Sequence, residues 1–229
     1  MTSIIIPSRK VENLRPCIQA IDKYDNSADI RIIVVDDGLS ERPPEYIREI
    51  ECQVIQGVKP FVFARNCNLG ICAAGEDDVI LLNDDCLLTT ECGFSRLIET
   101  GQQHPDIGLV SAAVDNTGNH NQRPHNAGLR SEPRMVCFVS VFIPRRTIDT
   151  IGLLDERFTE YGFDDDDYCL RVRKAGLEIS IFDGCVMDHS TLESTFRRRG
   201  RGDLEAGVKI FMAKWGHDHW GRPPMRAHQ

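Results

Sequence analysis

At 229 residues, with 41% hydrophobic and 27% charged side chains, the chain can bury one sizeable core without a disulfide or structural metal. Its net charge of −8 argues against a dedicated nucleic-acid binder. No apolar run approaches the ~18 residues of a membrane span, and Met1–Pro7 lacks the basic region and long apolar core of a signal peptide. The nine cysteines include no CxxC pair and sit mostly in apolar segments, the pattern of reduced thiols in a cytoplasmic protein.

In chain order, Ile4–Ile6 reads as a buried strand stopped by Pro7, and Leu14–Tyr24 as a helix. Ile30–Val35 is a strand ending in Asp36-Asp37-Gly38. Pro43–Ile50 suits a helix with prolines near its first turn. Cys52–Ile55 is a strand, Ala64–Ala74 a helix, and Val79–Leu82 a strand ending in Asn83-Asp84-Asp85. Continuous apolar strands separated by helices indicate an α/β fold with a mostly parallel central sheet flanked by helices. Ligands of such sheets sit at the carboxyl ends of the strands, where both acidic pairs fall.

Glu91–Gln103 is a helix and Ile107–Val114 a strand. Residues 115–133 lack an apolar period and read as a long functional loop. Val136–Ile143 is a strand, Asp167–Ala175 a helix closed by Gly176, and Ile179–Phe182 and Cys185–Met187 two short strands. Leu204–Trp215 is a last helix, followed by a frayed polar tail in which His217 and His219 are solvated.

Four consecutive aspartates, Asp164 to Asp167, form the strongest chemical signal, because like charges in a row stabilise nothing unless something cationic or protic is handled there. Asp167 is placed to cap or start the following helix, and a neighbour can face a pocket as general base. Asp36 and Asp37 can accept from a base N–H or a ribose hydroxyl, or merely form a turn. Asp85 offers a hard oxygen to Mn2+ or Mg2+, with Asn83 turned elsewhere, and His189 could complete the site. Arg197, Arg198, Arg199 and Arg201 would neutralise a diphosphate as a lid, or form a solvated loop.

Taken together, these segments resemble the family-two nucleotide-sugar glycosyltransferases of the GT-A fold. Ile4-Ile5-Ile6-Pro7-Ser8 resembles that family's first strand, Val34–Gly38 its base-binding segment, and Ala64–Ile71 its "ARN…G" helix start. Leu81–Asp85 resembles its DxD-like metal motif, with asparagine at the first position. Gly152–Phe158 followed by Asp164–Arg171 resembles "GxxDExF…EDxDxxxR", Asp164 standing in the glutamate's place. Val186–His189 resembles the strand ending in a metal-binding histidine, and Lys214-Trp215-Gly216 the family's "KWG".

The resemblance implies one domain over 1–229: nucleotide-sugar binding in 1–114, acceptor and catalysis in 115–200, and a C-terminal helix and tail in 201–229. It implies an inverting hexosyl transfer from a UDP-sugar to a hydroxyl of a glycan or other acceptor. Asp165 is the base, with Asp164 the other candidate, and Asp167 supports the acceptor side. Pro7, Ser8, Arg9, Asp36, Asp37, Arg65, Asn68, Asn83 and Asp84 face the nucleotide-sugar, and Asp85 and His189 hold Mn2+ or Mg2+. The arginine run keeps a second acceptor open, a modified base in DNA, against which the charge of −8 weighs. Two other readings are a non-catalytic nucleotide-sugar-binding module and a nucleotidyltransferase. Pro7-Ser8-Arg9-Lys10 lacks the Gly-rich phosphate loop that the latter carries.

Overall fold

The computed structural model of the chain describes residues 1–27, 29–41, 46–47, 50–159, 162–194, 204–218 and 221. In chain order the elements are β1 (Thr2–Ser8), α1 (Val11–Tyr24), β2 (Ile30–Asp36), β3 (Tyr46–Ile47), β4 (Ile50–Gln56), α2 (Phe63–Ala74), β5 (Asp78–Leu82) and β6 (Leu87–Leu88). There follow α3 (Gly93–Gln103), β7 (Ile107–Val114), β8 (Leu129–Ser131), β9 (Ser140–Ile143), α4 (Arg145–Ile151), α5 (Asp164–Lys174), β10 (Glu178–Asp188) and α6 (Leu204–Trp215).

One sheet runs β3-β4-β2-β1-β5-β9-β7-β10-β6, with β8 paired to β10. The long registers are parallel: β1 with β2 and β5, β2 with β4, and β7 with β10. β9 is inserted antiparallel between β5 and β7. Alternation along the strands divides the core between the two faces. Ile4, Ile6, Ile32, Val34, Ile80 and Leu82 pack with Leu14, Ile18 and Ile21 of α1 and Phe94 and Leu97 of α3. Ile5, Ile33, Val35, Val79 and Leu81 pack with Cys67 and Ile71 of α2 and Tyr168 and Val172 of α5. Gly70 makes the second face possible, since a Cβ there would meet Ile5 Cγ2 at 2.2 Å.

β1 lies between β2 and β5, with α1 covering one face and α2 the other. That is where strand order switches direction, so a crevice opens beyond the carboxyl ends of β1 and β5.

Several sequence expectations are corrected. Pro7 does not stop β1. The strand runs on to Ser8 because pairing with β5 ends at Ile5, so the missing N–H costs no ladder bond on that side. The helix expected over Pro43–Ile50 is overturned where described: Tyr46–Ile47 pairs antiparallel with β4, which Ile50 opens, so sheet pairing overrides local propensity. Residues 42–45 and 48–49 lie outside the described residues.

The strand expected from Val136 begins only at Ser140. Val139 N–H donates to the Cys137 carbonyl at 2.8 Å, a tight turn that keeps 137–139 out of the ladder. The two strands expected over 179–187 are one, β10, with an irregularity between Phe182 and Val186. The 115–133 loop contains β8 and a 3-10 turn at His120–Gln122. His217 is half-buried, its ring 6.1 Å from Phe211, rather than solvated; His219 lies outside the described residues.

Candidate active site

The parallel strands end at a common level, so β1, β2, β5, β7 and β10 deliver Ser8, Asp36-Asp37, Asn83–Asp85, Asp115 and Asp188-His189 to one edge of the sheet. Asp36 is spent on its own turn: one carboxylate oxygen accepts from the Gly38 and Leu39 amides, both at 2.7 Å. Asp37 differs. It is 1% exposed, and its carboxylate faces the Lys59 ammonium at 3.1 Å, while Lys59 also donates to the Asp37 carbonyl. Of the two, Asp37 therefore has the carboxylate open to a further donor. Ser8 donates to Asp84 at 2.6 Å. Burial, partly offset by Ser8 and reinforced by the charge of Asp85, pushes Asp84 up to about 6.

Asp85 is buried and meets His189 Nε2 at 3.1 Å across 104 positions of sequence. His189 Nδ1 donates to the Asn116 carbonyl at 2.6 Å, and Asp115 accepts the His189 backbone N–H at 2.8 Å. With Nδ1 carrying the proton, Nε2 of a neutral ring presents a lone pair toward Asp85. Two electron-rich donors side by side fit either an imidazolium or a cation held between them. Burial would raise Asp85, yet the hydrogen bond and charge of His189 and a bond from Ser194 carry it below the ordinary carboxylate value. Burial disfavours the charged ring of His189, but Asp85 outweighs it and raises the ring's pKa. No cluster of three or more His, Cys, Asp or Glu converges as a metal site among the described residues. One carboxylate and one imidazole suit a divalent cation whose remaining ligands are substrate phosphate and water.

All four aspartates lie in the first turn of α5, which begins at Asp164 rather than Asp167. Their charges meet the positive end of the helix. Asp167 does not cap it. Fully buried, it accepts from Arg171 Nε at 3.0 Å and Trp215 Nε1 at 2.9 Å, and pairs with the Lys214 ammonium at 2.7 Å, so it locks α5 to α6. The remaining three crowd each other. Burial and then the charge of Asp165 push Asp164 up to about 8 and Asp166 to about 7, the latter opposed by Arg134 and Arg173. Burial pushes Asp165 up to about 6, against backbone donors that include the Phe138 amide. Asp166 lines a cleft of ≈ 340 Å³ with Arg134, Arg173, Leu170, Phe211 and His217.

The remaining residues expected to face the nucleotide-sugar differ in their surroundings. The Asn68 amide is turned inward, exchanging bonds with the Leu154 backbone (2.9 Å both ways) and donating to Glu156 at 3.0 Å. Arg65 pairs with Glu156 at 3.4 Å. Pro7 is buried in β1, Arg9 is exposed, and Asn83 is half-buried, its backbone N–H donating to Val139 at 2.9 Å. Arg197, Arg198, Arg199 and Arg201 lie outside the described residues. The sequence reading missed Lys59, Ser194, Asp115 and Asn116, which carry no motif and matter only through their partners.

The profile of glycosyl transferase family 2 matches residues 3–174, from the first strand through the aspartate run. The chain belongs to glycosyl transferase family 2. A protein of Sinorhizobium fredii (strain NBRC 101917 / NGR234), uncharacterized protein y4gI, is 27% identical over 208 residues, covering 77% of this chain and 23% of its own length. This family 2 chain therefore spans about a quarter of that relative. Among solved structures, GalNAc-T7 with UDP, GalNAc and Mn2+ aligns at a TM-score of 0.72 and 12% identity, over 96% of this chain and 49% of its own. S. aureus TarS 1-349 aligns at 0.67 and 11%, over 93% and 64%. Both likenesses establish the GT-A fold. No helix among the described residues is long and apolar enough to cross a membrane.

Proposed function

We propose that this family 2 chain moves a hexose from a nucleotide-diphosphate donor, a UDP-sugar, to a hydroxyl of a glycan or other acceptor, with inversion at the anomeric carbon. The observation that carries the reading is the convergence, at one sheet edge, of an open buried carboxylate (Asp37), an Asp85–His189 pair and a crowded carboxylate run. UDP and Mn2+ in the GalNAc-T7 structure support the choice of donor and metal.

Asp37, with Lys59 beside it, accepts from the base of the nucleotide. Asp85 and His189 would hold Mn2+ or Mg2+, which supplies charge neutralisation to the diphosphate leaving group. Asp165, which accepts from the Asp166 amide at 2.9 Å between Asp164 and Asp166, takes the proton of the acceptor hydroxyl. The acceptor oxygen bonds to the anomeric carbon from the face opposite the diphosphate. The bond from that carbon to the phosphate oxygen breaks, and its electron pair leaves with the nucleoside diphosphate. Burial and the charge of Asp165 raise the Asp164 carboxyl, which disfavours a second negative charge beside the base.

The test is a binding and hydrolysis screen of UDP-, dTDP- and GDP-sugars with Mn2+, Mg2+ or EDTA. Metal-dependent binding and slow hydrolysis of a UDP-sugar are expected. No binding of any donor with either metal would sink the reading.

A further inference from the structure

Beside the Asp85–His189 pair, Asp115 and Asn116, which follow β7, grip the residues that follow β10. One carboxylate oxygen of Asp115 accepts the His189 backbone N–H at 2.8 Å, and the other accepts from Ser190 Oγ at 2.8 Å. The Asn116 side-chain amide donates to the His189 carbonyl at 3.3 Å, and the Asn116 carbonyl accepts from His189 Nδ1 at 2.6 Å. His189 is thus held by its backbone N–H, its carbonyl and its ring at once.

Two acceptors compete for the proton of that ring. The Asn116 carbonyl faces Nδ1, and the Asp85 carboxylate faces Nε2 at 3.1 Å. A carboxylate is the stronger acceptor. A neutral ring released from Asn116 would carry its proton on Nε2 and donate it to Asp85, leaving a cation neither the lone pair nor the free carboxylate oxygen. Nδ1 keeps the proton only while the Asn116 carbonyl stays close, and the Asp115 bonds to His189 and Ser190 fix that approach.

We propose that Asp115 is a positioning residue for the cation: it holds the His189 backbone against the end of β7, so that Asn116 retains Nδ1–H and Nε2 presents its lone pair beside Asp85. The inference rests on the reading of Asp85 and His189 as holders of the cation. Asp188 in the same turn has a different task, accepting the Ser190 and Thr191 backbone N–H groups at 2.8 and 3.0 Å and the Thr191 hydroxyl.

The experiment measures Mn2+ binding in the presence of UDP, by electron paramagnetic resonance, in wild type, Asp115→Ala, Asp115→Asn and Thr191→Val. Asp115→Asn keeps both contacts: its carbonyl oxygen accepts from His189, and its amide donates to Ser190 Oγ, whose hydroxyl already donates to Asp188 at 3.0 Å. Asp115→Ala is expected to weaken Mn2+ binding by roughly tenfold or more, with Asp115→Asn and Thr191→Val within about threefold of wild type. The second readout is the 15N spectrum of the metal-free protein at about pH 9, above the ordinary histidine range, with the His189 signals assigned by their loss in His189→Gln. Nδ1–H is expected in wild type and Asp115→Asn, and Nε2–H in Asp115→Ala. Unchanged Mn2+ binding in Asp115→Ala, or Nδ1–H retained there, overturns the proposal. So does an equal loss in Asp115→Ala and Asp115→Asn, which would mean that the charge of Asp115 acts on the cation directly. If Asp115→Ala does not fold, Asp115→Ser, whose hydroxyl stops one bond short, is read the same way. If wild type binds no Mn2+ with UDP, the metal reading fails, while the ring spectrum still decides whether Asp115 sets the proton of His189.

Discussion

The two acidic clusters of this site are built in opposite ways. Asp85 and His189 are 104 positions apart and meet because the strands that carry them finish at the same edge of the sheet. Asp164 to Asp167 are contiguous and part company, because successive residues of a helix point about 100° apart. Three remain crowded and hold protons well above the ordinary range, while Asp167 turns to Arg171, Lys214 and Trp215. Distance along the chain therefore says little about which carboxylates share a task.

The sharpest way to break this contrast is Asp165→Asn. Donor hydrolysis or transfer is expected to fall by roughly a thousandfold, while UDP binding, read by calorimetry, stays within about twofold. Next comes Asp167→Ala, which leaves Arg171, Lys214 and the Trp215 N–H without their shared acceptor. Unfolding in urea should show a loss of about 3 kcal/mol, whereas Asp166→Ala, half-buried and outside that lock, should lose far less. Equal losses in the two would mean that the run acts as one cluster.

On the other side, His189→Ala should lower Mn2+-dependent UDP affinity by roughly ten- to a hundredfold and leave metal-free binding unchanged. An unchanged Mn2+ response would dissolve the Asp85–His189 pair as a metal holder.

The smallest effect is a pH slope. Asp164 and Asp166 are raised to about 8 and about 7 from 3.8 in the unfolded chain, so the folded state binds more protons between those values. Their contribution is fully present below pH 3.8 and is lost as pH rises through 7 to 8. Asp166→Asn, neutral at every pH, should raise Tm at pH 8 by about 2–4 °C more than at pH 5. Equal Tm changes at both pH values would show that Asp166 titrates in the folded protein as it does unfolded.

The strand–helix alternation of the first half was legible because buried parallel strands are apolar throughout and their helices carry a separate period. Two errors came from segments whose backbone is satisfied by distant partners: Tyr46–Ile47, paired with β4, and Val136–Val139, held by Gln122 and its own turn. α4 was missed altogether. Arg145–Ile151 is only seven residues, and four of them are β-branched, so its helical signal is weak. Asp37, Asp85 and His189 were named from residue type and strand-end position, and Ser8 and Asp165 from the family resemblance, while Lys59, Asn116, Ser194 and Gln122 were not named.

The sequence by itself determined the family, the layered fold and the edge of the sheet where the chemistry gathers, because burial patterns and short acidic motifs are local properties of the chain. Tertiary structure alone decided which carboxylate of each group is open and which is spent. Asp37, buried, faces Lys59 while Asp36 closes a turn, and Asp165 stays within the crowd while Asp167 ties two helices. The physical reason is that a carboxylate's role depends on the donors and charges within a few ångströms of it, and those arrive from elements tens of residues away.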